Sequence, residues 1–251
     1  MRRNNIDITF IILVVLLAGN SIRSGAFSDP REWILDKILL LPAIVIGLSM
    51  HEFAHAAVAY KLGDNTPKLQ GRVTINPMAH IDWVGLVALF FCGFGWGQPV
   101  QINPYNFKNR RRDELLVAVA GVAMNLVIAA LFTVVAKLVF VATGPAWLSG
   151  TTLGSGIWEI LIYIVQINIV LMIFNLIPVP PLDGSRIATY FLPQRTYFKI
   201  MQYERYILIA FFLILWLGVL DMPIAFVDGL VTKGLDFITL PVDWLVRAII
   251  R

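Results

Sequence analysis

The sequence is short of charge. Only 14% of its 251 residues are Asp, Glu, Lys or Arg, against about 25% in an ordinary soluble domain. With 58% hydrophobic residues and a mean hydropathy of +0.76, a soluble fold of this length lacks the interior to hide its apolar surface. Lipid is the alternative solvent, and a helix that crosses it needs about 20 apolar residues. A single cysteine, Cys92, excludes an internal disulfide framework and a four-cysteine zinc site. Any metal must then be held by His, Asp or Glu. Histidine is also scarce, with three in the chain: His51, His55 and His80. Internal repeats, low-complexity runs and long linkers are absent. Residues 1–251 therefore read as one membrane domain, with a core over about 33–186 and a C-terminal span and tail over 206–251. The basic excess, a formal charge of +4 with a pI near 9.3, sits in short runs between apolar stretches. That placement points to membrane topology and anionic lipid, and away from nucleic acid.

What the sequence does have is apolar length. It predicts an all-α membrane protein of about five to six transmembrane helices. The stretch Ile8–Gly19, behind Met1-Arg2-Arg3, fits either a short, tilted span or a signal peptide. Trp33–Leu62 follows and contains His51, Glu52 and His55. The next candidate, Val84–Pro99, carries Gly85, Gly93, Gly95, Gly97 and Pro99. This is a poor helix composition. It reads as irregular or re-entrant backbone, tolerated at membrane depth when buried in protein. Leu115–Val141 is a clean span whose start holds Gly121 and Asn125 one turn apart, small residues that permit close helix contact. Ile157–Ile177 is stopped by Pro178, Pro180 and Pro181. Tyr206–Leu220 is the last strong span. The tail, Gly229–Arg251, mixes apolar residues with Lys233, Asp236, Asp243 and Arg247, as a surface-lying amphipathic segment does. The polar stretches Lys61–Asp82 and Asp183–Arg205 read as loops.

Lys and Arg placement sets the expected orientation. Arg2 and Arg3, the Lys61–Arg72 loop, the Lys108–Arg112 run and the 183–205 loop all fall on the cytoplasmic side if Val84–Pro99 enters and leaves on one side. The loop from Thr143 to Gly156 has no basic residue and falls outside. Arg23, Arg31 and Lys37 fit least well, because they also fall outside.

Two of the three histidines stand in His51-Glu52-Phe53-Ala54-His55. Positions i and i+4 share a helix face about 6 Å apart along the axis, so both imidazoles can reach one tetrahedral zinc. Glu52 lies about 100° round the helix, close enough to take a proton from a water in the site without being a ligand. A His-Glu-His set in an apolar span is costly, and intramembrane ionisable residues are functional by default. A catalytic zinc takes three protein ligands. His80, Asp82, Glu159 and Asp183 are the candidates for the third. Asp183 follows a span that runs in the same direction as the His51 span, which brings it to a similar depth; Asp-Gly is also an ordinary turn pair.

The His51–His55 motif together with Asn175-Leu-Ile-Pro-Val-Pro-Pro-Leu-Asp183-Gly184 resembles the site-2 protease family of intramembrane zinc metalloproteases, peptidase family M50. The segments Asn76–Asp82, Gly95–Val100 and Ala120–Asn125 resemble the family's intervening motifs, in the same order. The resemblance covers Leu39 to Arg186. It implies one zinc per chain on His51, His55 and Asp183, Glu52 as general base, and Asn175 as hydrogen-bond donor to the oxyanion, where the alternative is a helix-interface bond. His80 is implied near the site, either on the oxyanion or substrate or as a loop anchor. The implied substrate is a single-span membrane protein cut in or near its helix, in a cell membrane, with the active site toward the cytoplasm. The type is the minimal core without a PDZ or CBS domain. Gln98, Val122 and Trp83-Val84-Gly85 depart from the family pattern, which often has Lys, Pro and Pro-x-Gly there. None is a presumed ligand, so they bear on substrate handling. The rivals are a metal-ion transporter using the same ligands, which leaves Glu52 without a task, and an inactive scaffold relative.

Overall fold

The computed structural model describes residues 29–92 and 95–244. Its regular elements are all helical. α1 spans Pro30–Lys61 and α2 Thr66–Leu69; a 3-10 turn follows at Pro77–Ala79, then α3 at Trp83–Cys92 and another 3-10 turn at Pro104–Asn106. The rest are α4 (Arg110–Thr143), α5 (Pro145–Gly150), α6 (Thr152–Leu176), α7 (Asp183–Phe191), α8 (Gln194–Gln202), α9 (Glu204–Trp216) and α10 (Asp221–Ile238).

Caps explain where the long helices begin and end. Asp29 accepts from the Arg31 and Glu32 amides ahead of α1, with Pro30 in the first turn, where a missing N–H costs nothing. Asn109 caps α4 through the Arg112 amide, while Asp113 accepts from the Asn109 amide. Gly144, at φ 76°, ends α4, and such a backbone suits glycine. Thr151 caps α6 through the Gly154 amide, and Pro178 follows its last turn.

α1, α4 and α6 pack on one another in all three pairings. Small side chains let them close: Ala43, Ala56, Ala59 and Ala129 are fully buried, and lipid offers no hydrophobic drive beyond such packing. Ala43, Ile128 and Ile164 form one cluster across the three helices. Val122, Ala129, Ile169, Met172 and Ile173 form another, and Leu235 of α10 completes it.

These three helices are long and apolar enough to cross a membrane, and a fourth span is possible only if the bent pair α9–α10 counts as one. The expected five to six is therefore reduced among the described residues. The stretch Ile8–Gly19 lies outside them. The Tyr206–Leu220 span is cut short at Trp216, and Gly218 at φ 70° turns the chain by 81° into α10. The tail also differs from a surface-lying segment. Leu235 is buried in the bundle, and Lys137 of α4 donates to Thr239 and Asp243 at 2.8 Å each. Residues 183–205, read as a loop, form α7 and α8: both are too polar to span, yet an amphipathic pattern is sufficient for a helix packed along one face.

The Gly-rich stretch is helical at first. α3 then gives way, after residues 93–94, to extended chain that returns alongside it. Gly95 lies against the Gly85 carbonyl and Leu89, and Ile81 bridges Gly97 in antiparallel fashion, with the Gln98 amide donating to the His80 carbonyl at 2.7 Å. α3 and the extended residues that follow from Gly95 thus form a hairpin whose two ends, Ile81 and Gly97, stand side by side.

Candidate metal centre

His51 and His55 lie on one buried face of α1 against α4. The imidazole of His51 meets Asn125. That amide is oriented by its neighbours: its Nδ2 donates to the Gly47 carbonyl at 3.3 Å and to Asn168 Oδ1 at 2.9 Å, and Asn168 in turn donates to the Ile164 carbonyl at 2.8 Å. Asn125 Oδ1 is left as an acceptor, so His51 Nδ1, 2.6 Å away, carries the proton. His55 Nδ1 stands 2.7 Å from the Val117 carbonyl, which only accepts, and is likewise the protonated nitrogen. In the neutral imidazole, the form that binds a metal, each Nε2 is then the lone-pair nitrogen, an assignment made by the partners.

α7 brings in the third group. Asp183 is its first residue, and Gly184 allows the approach, because a Cβ there would strike the Leu176 and Ile177 backbone at the end of α6. Asp183 Oδ2 lies 3.1 Å from His51 Nε2 and 3.0 Å from His55 Nε2, while the two Nε2 atoms are 3.0 Å apart. Asp183 Oδ2 is buried without a hydrogen-bond donor.

With both imidazoles neutral, three acceptors in mutual contact repel one another, and a cation among them relieves that repulsion. Tetrahedral zinc with bonds of about 2.0–2.1 Å separates its ligand atoms by about 3.3 Å. The observed triangle, 3.0–3.1 Å on each side, fits that with small outward shifts. Hydrogen bonds from the far ring nitrogens to an amide and a carbonyl are the usual outer support of metal-binding histidines. Among the described residues this is the one group of three or more His, Cys, Asp or Glu able to hold a metal.

Glu52 is not part of the triangle. Its Oε2 accepts from the Val100 amide at 2.9 Å, and Gly97 lies beside it, so the returning strand of the hairpin holds the carboxylate. Ligands, Glu52 and Asn175 border one cavity of about 560 Å³, lined mainly by apolar residues of α1, α6 and the hairpin. Asn175 Nδ2 donates to the Leu171 carbonyl within its helix, at 3.0 Å. His80 is fully buried and does not line the cavity. Its Nε2 donates to the Thr74 carbonyl at 2.7 Å, and its own carbonyl receives the Gln98 amide. Asp82 caps α3 by accepting from the Gly85 amide.

The chain also matches known proteins. The family model described as Peptidase family M50 matches residues 39–218. The chain belongs to peptidase family M50. Among curated relatives, this M50 member is 39% identical over 176 residues to the "Putative zinc metalloprotease YwhC" of Bacillus subtilis, covering 68% of this chain and 77% of the relative. It is 25% identical over 174 residues to the "Putative zinc metalloprotease Rip2" of Mycobacterium tuberculosis, covering 67% of this chain and 60% of the relative. No solved structure matches. Family and relatives support a zinc metalloprotease with several membrane helices.

Sequence reasoning missed some of the supporting residues. Asn168 drew no notice, yet it is fully buried and orients Asn125. A polar residue within an apolar span was the available signal. Gly121 was read as a helix-contact residue. Its actual neighbours are the ligands, since a Cβ there would lie 2.5 Å from His55 Nε2 and 2.6 Å from His51 Cε1.

Proposed function

We propose that this M50 member is an intramembrane zinc endopeptidase that hydrolyses peptide bonds in or near the spans of single-pass membrane proteins. The observation that carries the reading is the convergence of two bare imidazole nitrogens and a buried carboxylate beside Glu52, in an apolar cavity between helices of membrane length. A zinc ion held by His51, His55 and Asp183 would supply Lewis acidity and a water that reacts near neutral pH.

The chain's own residues do the rest. Glu52 takes the water's proton and delivers it to the leaving amine, held in reach by the Val100 amide. Asn175 borders the same cavity and can exchange its bond to Leu171 for one to the oxyanion, a contribution of a few kcal/mol in comparable sites. His80 acts behind the strand as an anchor for its backbone. An unwound substrate segment would lie extended beside residues 95–100, where main-chain pairing is independent of side-chain identity. Because residues 81 and 97 lie side by side, the hairpin suits a re-entrant loop, and the basic loops on either side then share the cytoplasmic face. On this reading the centre faces the cytoplasmic side of a cell membrane.

The test is zinc content and cleavage in purified protein. One zinc per wild-type chain, little in Asp183→Ala, and a Glu52→Gln variant that keeps its zinc but loses more than about a hundredfold in turnover are expected. Turnover of Glu52→Gln at a tenth of wild type would remove the general-base role. Zinc uptake into vesicles without cleavage would favour a transporter.

A further inference from the structure

Lys37 is one of the three basic residues that the expected orientation puts outside. It borders the same cavity as the metal triangle. Along α1 the wall is Lys37, Leu40, Ile44, Leu48 and His51, a single helix face by its spacing of three and four. Lys37 and His51 are 14 positions apart, roughly 21 Å along the axis at 1.5 Å per residue. Facing them on α6 are Ile167, Val170, Leu171 and Phe174. The other charged residues of the cavity wall, Glu52, Asp183 and Arg186, belong to the metal end. The groove therefore has a reactive end, an apolar middle and one cation at the far end, where Trp33 stacks edge-on against Phe90 of the hairpin at 5.4 Å between ring centroids.

That cation is weakly held. Among the described residues its ion pair is with Asp36, at 3.2 Å, and the Asp36 carboxylate also takes the Tyr163 hydroxyl. Neighbouring helix residues point about 100° apart, so the pair does not face itself and the bond draws Lys37 sideways. A substrate carboxylate arriving along the groove meets an ammonium with 21% of its side chain exposed, in surroundings where a charge is costly without a partner.

We propose that Lys37 is a specificity-determining residue that pairs with an acidic side chain of the substrate segment at the end of the groove remote from the scissile bond. This rests on the proteolytic reading above. An extended chain rises about 3.3 Å per residue, so the acid stands about six residues from the cleaved bond.

The probes are synthetic single-span peptides, neutral within the span apart from one Glu moved position by position, in phosphatidylcholine vesicles with the full-length protein. In wild type, kcat/KM should peak at roughly ten times the value for the all-neutral peptide when Glu stands about six residues away. A peak near fourteen residues also supports the pairing, with the segment helical. Lys37→Met should flatten the ratio between Glu and neutral peptides, and Lys37→Glu should invert it so that Lys at that position is preferred. Each ratio is measured within one preparation, so a loss of folded protein does not imitate it. A flat wild-type scan, or a peak that Lys37→Glu leaves in place, overturns the proposal. So does a flat scan with activity that follows anionic lipid and loses that dependence in Lys37→Met, which assigns Lys37 to a headgroup. Wild-type protein that cleaves none of the probes overturns the proteolytic reading itself.

Discussion

The two walls of the cavity are built in different ways. On one side, α1, α4 and α6 hold the two imidazoles through buried side chains: Asn125 on His51, Asn168 on Asn125, and Gly121 flat against both rings. Helix register fixes every one of these positions. On the other side, the hairpin presents backbone. Glu52 is held by the Val100 amide, and the strand by the His80 carbonyl. Its exit is clamped at Asp64, which accepts from Asn103 N and Asn106 Nδ2 at 2.7 Å each and from Thr66 N and Oγ1. The helical wall demands particular side chains and tolerates few substitutions. The backbone wall tolerates changes of side chain and is vulnerable to loss of an N–H. Positioning a metal requires the first kind of wall, and receiving an extended peptide of any sequence requires the second.

Substitutions can break this contrast. The largest effect is expected from Gly121→Val, whose branched side chain would occupy the space of the two imidazoles. Zinc per chain should fall to background while the protein still inserts in membranes, as read by metal analysis of the purified variant. Asn125→Ala removes the acceptor for His51 Nδ1 and should weaken zinc about 10–100-fold, measured by competition with a chelator. The other wall is tested by Val100→Pro, which deletes the amide bound to Glu52. Turnover should drop about tenfold with zinc unchanged, and an equal loss of zinc would mean that the two walls are one unit.

The smallest effect belongs to Asp64. Burial by itself raises this carboxyl, and the hydrogen bonds from Thr66, Asn106 and Asn103 more than offset it, holding it below the ordinary range. A carboxyl depressed in the folded state contributes stability above its unfolded value, near pH 4, and loses it as pH falls through the lower folded value. Asp64→Asn should cost about 1–2 kcal/mol at neutral pH and remove that acid loss, read as amide exchange at Asn103 across the pH range.

Much of the centre was legible in the chain. His51, Glu52 and His55 are local, because the i, i+4 spacing is a property of one helix. Their setting in an apolar span marked them as functional. Asp183 was legible only as one candidate among several until the family resemblance singled it out, and its approach depends on Gly184 fitting against the end of α6. The span count was less secure. Hydropathy reads Tyr206–Leu220 as continuous, whereas one glycine at positive φ breaks it.

By itself, the sequence determined the solvent, the helical class and the grouping of His51, Glu52 and His55 on one helix, since composition and short-range period are carried by neighbouring residues. Tertiary structure alone decided which nitrogen of each imidazole faces the centre, because a tautomer is set by partners 62 and 74 positions away. It also decided that the hairpin's ends meet and that Lys37 shares a cavity with His51, His55 and Asp183. Such facts arise from helices packing across lipid-length distances, and no local pattern along the chain encodes them.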